Sequence, residues 1–324
     1  MPIQHSLIPL HLRKAVDRYG RSFGLSKGEV SATYNTLIRQ VNEKSRSPFD
    51  SLSAAAIGTA CCSRSIIILV LAFVANGCQS VAEVFAKSAE AMAMPREVIT
   101  GTRFQHVVFS KPGFHSTTLH IYLDGDGSPR VAGRPADDPT PRNSMMLNMM
   151  RADAAPAVYV GRPCYHGLQK TGECSSRYWL RDRYSEAVVA SLAAVIERLR
   201  ERGDYKNLAV FGHSGGGTLA VLLASRLPQT ESVVSIAANL DLAAWATYNG
   251  NDDLSGSLNP SALPPLPSSV RQRHFAGSND QIVPPKLMAK TAEHLGAQLI
   301  VVEGYDHVCC WEQKWAEILN DLAK

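Results

Sequence analysis

Leu208-Ala-Val-Phe-Gly-His-Ser-Gly-Gly-Gly-Thr218 is the stretch on which the rest of the chain turns. Its first four residues form an apolar run of strand length, and residues 218–227 follow with helical apolar spacing. Between them, Gly212-His213-Ser214-Gly215-Gly216 fits the pattern G-x-S-x-G. A tight turn of this kind strains the serine backbone. Neighbours without side chains let the strand and helix close around it. The serine hydroxyl is then expected to stand out from the carboxyl edge of a sheet. A phosphate-binding glycine turn is the competing reading. It lacks the Lys of a P-loop and does not follow the first strand of the fold.

Working outward, short apolar strands alternate with helical patterns from about residue 100, which predicts an α/β fold with a mostly parallel sheet. Strands are expected at 104–109, 119–123, 157–160, 208–211, 233–236, 273–276 and 299–302. Residues 185–202 read as a helix, because Val188, Leu192, Val195 and Leu199 share one face between a cap at Ser185 and a stop at Gly203. Further helices are expected at 285–295 and 310–322. Residues 125–142 and 242–270, dense in Gly, Pro, Ser and Asn, read as irregular loops. The second is too short for a large lid domain. Residues 79–102 read as a linker.

A serine nucleophile needs a base, and the base needs an orienting acid. Gly277-Ser-Asn-Asp280 places a carboxylate just past one expected strand. Gly304-Tyr-Asp-His307 places an imidazole just past the last. Asp241, past the preceding strand, is an alternative acid. Asp280 also has a rival reading as the cap of the helix after Pro284. Asp306, next to the histidine, reads as a solvated turn residue.

On the elbow, the acid after the penultimate strand and the His before the last helix, residues 103–324 resemble the α/β-hydrolase superfamily. The resemblance implies an α/β-hydrolase fold. It implies Ser214 as nucleophile, His307 as general base and acid, and Asp280 as its orienting carboxylate. It assigns the oxyanion to the N–H groups of Gly215 and Asp126. Asp124-Gly125 stands where many members carry His-Gly, and negative charge there opposes an oxyanion unless it pairs with a cation. Arg162 and Arg181 are the expected partners. The implied reaction is hydrolysis of an ester or related acyl bond in a small molecule, through an acyl-enzyme, with no cofactor and no metal. Gly212-His-Ser-Gly-Gly-Gly217 also resembles serine peptidases of the superfamily. A non-catalytic binding protein on the same fold is the third reading.

The 324 residues carry 45% apolar and 19% charged side chains, which excludes a disordered, collagen-like or coiled-coil chain. The net charge of +4 divides unevenly: residues 1–64 carry +5 and residues 65–324 carry −1. The basic balance therefore gives no argument for nucleic-acid binding by the remainder. Residues 1–64 read as an extension of unassigned role, either untranslated or cytoplasmic. Residues 65–75 are apolar, about half the ~20 residues that cross a bilayer as a helix, and have the size of a secretory h-region behind Arg64. Val74-Ala-Asn-Gly-Cys78 resembles a bacterial lipobox, although Asn76 departs from the usual small or apolar residue. The resemblance implies an exported or periplasmic lipoprotein held at the membrane through Cys78. A membrane anchor over 53–75, interrupted by Arg64, and a buried core helix are the alternatives. Seven Cys lie at 61, 62, 78, 164, 174, 309 and 310, without C-x-x-C spacing for zinc. In an exported chain Cys164 and Cys174 are expected to bridge. Cys309 and Cys310 are not expected to pair with each other, and one of them is expected to be buried in the last helix.

Overall fold

The computed structural model describes residues 79–250 and 254–322. The extension, the apolar segment and Cys78 lie outside these residues. Ten strands alternate with seven α-helices among the described residues. The strands are β1 (Arg96–Thr100), β2 (Gln105–Lys111), β3 (Thr118–Leu123), β4 (Arg130–Val131), β5 (Arg134–Pro135), β6 (Ala157–Val160), β7 (Asn207–His213), β8 (Thr230–Ile236), β9 (Arg271–Gly277) and β10 (Gln298–Val302). The helices are α1 (Val81–Ala91), α2 (Met145–Ala152), α3 (Glu186–Arg202), α4 (Gly215–Ala224), α5 (Leu242–Asn249), α6 (Pro285–His294) and α7 (Trp311–Leu322).

Eight strands form one sheet in the order β1-β2-β6-β3-β7-β8-β9-β10. β2 pairs antiparallel with both β1 and β6, and every pairing from β6 to β10 is parallel. Side chains alternate across the sheet with a period of two. Leu119, Ile121 and Leu123 of β3 enter one apolar layer with Val188 and Leu192 of α3 and Leu219 of α4. Tyr122 enters the opposite layer with Phe211 and with Trp311 and Trp315 of α7. Both faces are thus covered, as a parallel sheet requires. Among the described residues no helix is long and apolar enough to cross a membrane.

Three loop expectations need correction. Residues 79–102 are not a linker. Ser80 caps α1 in a capping box with Glu83, and the helix packs Phe85 against Phe109 and Tyr159. β1 then adds an edge strand to the sheet. Residues 242–270 contain α5, which Asp241 caps by accepting hydrogen bonds from the N–H groups of Ala243 and Ala244. Residues 125–142 contain the small β4–β5 hairpin, turned at Gly133 with φ of 76°. α2, which carries five buried residues from Met145 to Met150, has no counterpart among the expected elements.

Candidate active site

Ser214 joins β7 to α4 with φ of 52° and ψ of −122°, a conformation that L-residues rarely adopt. Glycine permits the crossing. A Cβ on Gly212 would fall 2.2 Å from the Gly216 carbonyl oxygen, and one on Gly216 would fall 2.2 Å from that of Leu123. α4 begins at Gly215, earlier than the apolar pattern from 218 suggests, because these glycines lie inside its first turn. The Gly215 N–H belongs to the turn that has no intrahelical acceptor, at the positive end of the helix.

The structure brings Ser214, His307 and Asp280 together at the carboxyl ends of β7, β10 and β9. His307 Nε2 lies 3.1 Å from Ser214 Oγ, and His307 Nδ1 lies 2.8 Å from Asp280 Oδ2. A carboxylate only accepts, so Nδ1 donates and Nε2 is left as the acceptor facing the hydroxyl. Asp280 is buried. Its Oδ1 accepts from the N–H groups of Ile282 and Val283, both at 2.8 Å. Burial raises the Asp280 pKa, but His307 and the two backbone donors outweigh it, so the carboxyl sits below its ordinary value. The two loops are also tied to each other. The Asn279 N–H donates to the Tyr305 carbonyl at 2.9 Å, and Trp311 Nε1 donates to the Asp306 carbonyl at 3.0 Å. His213 Nε2 donates to the His307 carbonyl at 2.7 Å. Asp241 is not brought to His307; it caps α5. Asp306 is an exposed turn residue whose Oδ1 accepts the N–H groups of Val308 and Cys309.

The loop after β3 carries Asp124-Gly125-Asp126 to the same point. A Cβ on Gly125 would fall 3.2 Å from Ser214 Cβ, and one on Gly215 would fall 2.1 Å from Asp126 Oδ1. Asp126 Oδ1 accepts from Arg162 Nη1 at 2.6 Å, and Oδ2 from Arg183 Nη1 at 2.8 Å. The Tyr184 hydroxyl lies within 2.8 Å of both oxygens. Burial raises the Asp126 pKa, yet the two guanidinium charges prevail and bring it down to about 2. Arg162 was expected here; Arg181, the other expected partner, does not reach Asp126, and Arg183 takes its place. Arg181 points to Asp182 at 3.2 Å, because the chain turns between the two residues and aims Arg183 inward. Tyr165 supports the loop by donating to the Asp126 carbonyl at 3.0 Å. Among the described residues no arginine forms an ion pair with Asp124. Its partners are the Gly125 N–H at 3.0 Å and the Tyr159 hydroxyl at 3.4 Å, and burial pushes it up to about 7.

Cys164 and Cys174 are bonded, with Cα atoms 5.4 Å apart. The bridge closes residues 164–174, which include Tyr165 and begin two residues after Arg162. Cys309 and Cys310 are also bonded to each other, contrary to expectation. Cys310 adopts a φ of 79°, which lets neighbouring side chains meet. Both residues precede α7, and neither is buried.

A cavity of 550 Å³ opens over Ser214. Gly125, Asp126, Arg142 and Arg183 line it, as do Trp245, Ile282 and Val308. Neither a protein-family model nor a curated protein sequence matches the chain. Among solved structures it is similar to a bacterial membrane phospholipase A, a virulence factor. Identity is 14% and the TM-score 0.54, over 83% of this chain and 100% of that one. It is similar to a Pyrococcus furiosus esterase at 14% identity and a TM-score of 0.52, over 72% of this chain and 93% of that one. A puromycin-hydrolyzing peptidase of Mycobacterium tuberculosis shares 16% identity with a TM-score of 0.51. There the match covers 71% of this chain and 38% of the peptidase. At these identities the likeness establishes the fold: the chain has the α/β-hydrolase fold, a mostly parallel sheet with helices on both faces.

Proposed function

We propose that the protein is a serine hydrolase that cleaves an ester or related acyl bond of a small molecule through an acyl-enzyme on Ser214. The observation that carries this reading is the hydrogen-bond chain Ser214–His307–Asp280, at 3.1 and 2.8 Å, built on a strained elbow. His307 Nε2 accepts the hydroxyl proton as Oγ attacks the carbonyl carbon. Asp280 holds the ring in the tautomer that leaves Nε2 open, and its negative charge stabilises the imidazolium. The carbonyl oxygen, as it becomes an oxyanion, takes the N–H groups of Gly215 and Asp126. Neutralisation of the Asp126 carboxylate by Arg162 and Arg183 removes the charge that would oppose it. Collapse expels the alcohol, which takes its proton from His307. Water, deprotonated by the same nitrogen, then releases the acid and frees Ser214.

The fold shared with an esterase and a phospholipase supports this reading as one the scaffold accommodates. Turnover of short 4-nitrophenyl esters against aminoacyl 4-nitroanilides tests it. Ester hydrolysis is expected to dominate and to fall by about 10⁴-fold or more in Ser214→Ala. Activity within tenfold of wild type in that variant would remove Ser214 from the mechanism. Turnover of the anilides alone would make the protein a peptidase.

A further inference from the structure

The walls of the cavity over Ser214 differ in chemistry, and the strand order says why. β7, which presents Ser214, lies between β3 and β8. Everything carried by the loops after β3 and β6 therefore arrives on one side of the nucleophile. Everything carried by the loops after β8, β9 and β10 arrives on the other. The first side supplies Arg142 and Arg183; the second supplies Trp245, Ile282 and Val308.

The second wall is apolar in fact as well as in name. Trp245 donates its indole N–H to the Ile282 carbonyl at 3.1 Å, so its ring carries no spare donor into the cavity. Ile282 is 46% exposed and Val308 is 45% exposed, more apolar surface than a closed core would leave open. On the first wall, the Asp126 carboxylate is held by two guanidinium groups, and Asp124 beside it is buried. Arg142 adds a positive charge. Its Nε donates to Ser128 Oγ at 3.3 Å, and among the described residues it pairs with no carboxylate. It is exposed at the mouth of the cavity.

We infer that the site takes amphiphilic anionic esters: Arg142 receives a carboxylate or phosphate group of the substrate, while Trp245, Ile282 and Val308 receive its apolar part, with the scissile bond between them. This rests on the serine-hydrolase reading of Ser214. A guanidinium matches both oxyanions through paired N–H donors, and its positive charge draws them in.

Three fluorophosphonates of equal chain length test the inference on the full chain, since their alkyl arm can lie on either side of the serine. One ends in a carboxylate, one in a phosphate monoester and one in an uncharged methyl ester. The rate of covalent labelling of Ser214 is measured for each. At low salt, at least one anionic probe is expected to label about tenfold faster than the neutral one. Whichever anionic probe is faster identifies the group preferred. The advantage is expected to shrink at high salt, to vanish in Arg142→Gln and to persist largely in Arg142→Lys. Equal rates for charged and neutral probes in the wild type would overturn the inference while leaving the hydrolase reading intact. So would an anionic advantage unchanged in Arg142→Gln. Failure of all three probes to label folded protein would overturn the hydrolase reading itself, and the inference with it.

Discussion

Asp124 and Asp126 lie on one short loop beside Ser214, and their surroundings separate them. Two arginines and a tyrosine hold Asp126 ionised, down to about 2. Asp124 is equally enclosed, and burial outweighs its bonds to a backbone N–H and a phenol and the more distant Arg162 charge, raising it to about 7. The sign of the linkage follows. An unfolded Asp releases its proton near 3.9. Between about 4 and 7 the folded protein therefore binds the extra proton, and stability falls as pH rises through that window. Asp124→Asn is expected to remove this slope. Its melting temperature should match wild type at pH 4 and exceed it by about 5 °C at pH 8. The contribution of Asp126 is lost only as pH falls from about 4 through 2, below the window. A pH-independent difference in melting temperature would contradict the assignment. At this scale the meeting of Ser214, Asp280 and His307 was legible, because each stands just past a strand, which puts it at the carboxyl edge of the sheet. Arg183 was not. Choosing between Arg181 and Arg183 depends on the local turn of the chain, which two alternating arginines do not announce.

At the scale of elements, the segment from Arg162 to Cys174 works as a brace. Arg162 and Tyr165 both reach Asp126, and the disulfide at Cys164 closes the segment behind them. Closing a loop of ten residues restricts the unfolded chain by about 3 kcal/mol. The double variant Cys164→Ser, Cys174→Ser is expected to lose about that much in denaturant titration, with a weaker hold on the Asp126 loop and slower turnover. Unchanged stability would remove the bridge from the brace. The bridge was expected only of an exported chain, from two cysteines ten residues apart. The Cys309–Cys310 bond was not expected, since it depends on the backbone at Cys310 and not on spacing. α1 and β1 escaped for another reason. β1 is an edge strand with only Val98 and Ile99 as apolar residues, and α1 buries a narrow face of Phe85 and Ala89. Their signals are weak beside the dense apolar runs of the central strands.

Across the whole molecule, the strand order does most of the functional assembly. It sets β7 between β3 and β8 and gathers five loops at one edge. Ser214, His307, Asp280 and the Asp124–Asp126 loop thereby come together from segments more than 180 residues apart in sequence, from Asp124 to His307. Alternation of strands and helices was enough to expect such a sheet, because burial on both faces demands continuous apolar strands. The order of the strands needed the structure. These loops converge on Ser214, which we propose to be an activated nucleophile. The most direct measurement is labelling with an alkyl fluorophosphonate followed by peptide mass mapping in wild type, Ser214→Ala and His307→Ala. A single adduct on Ser214, absent from Ser214→Ala and formed at least about 100-fold more slowly in His307→Ala, is the expected result. An adduct on another residue, or labelling of Ser214 at an undiminished rate without His307, would contradict it.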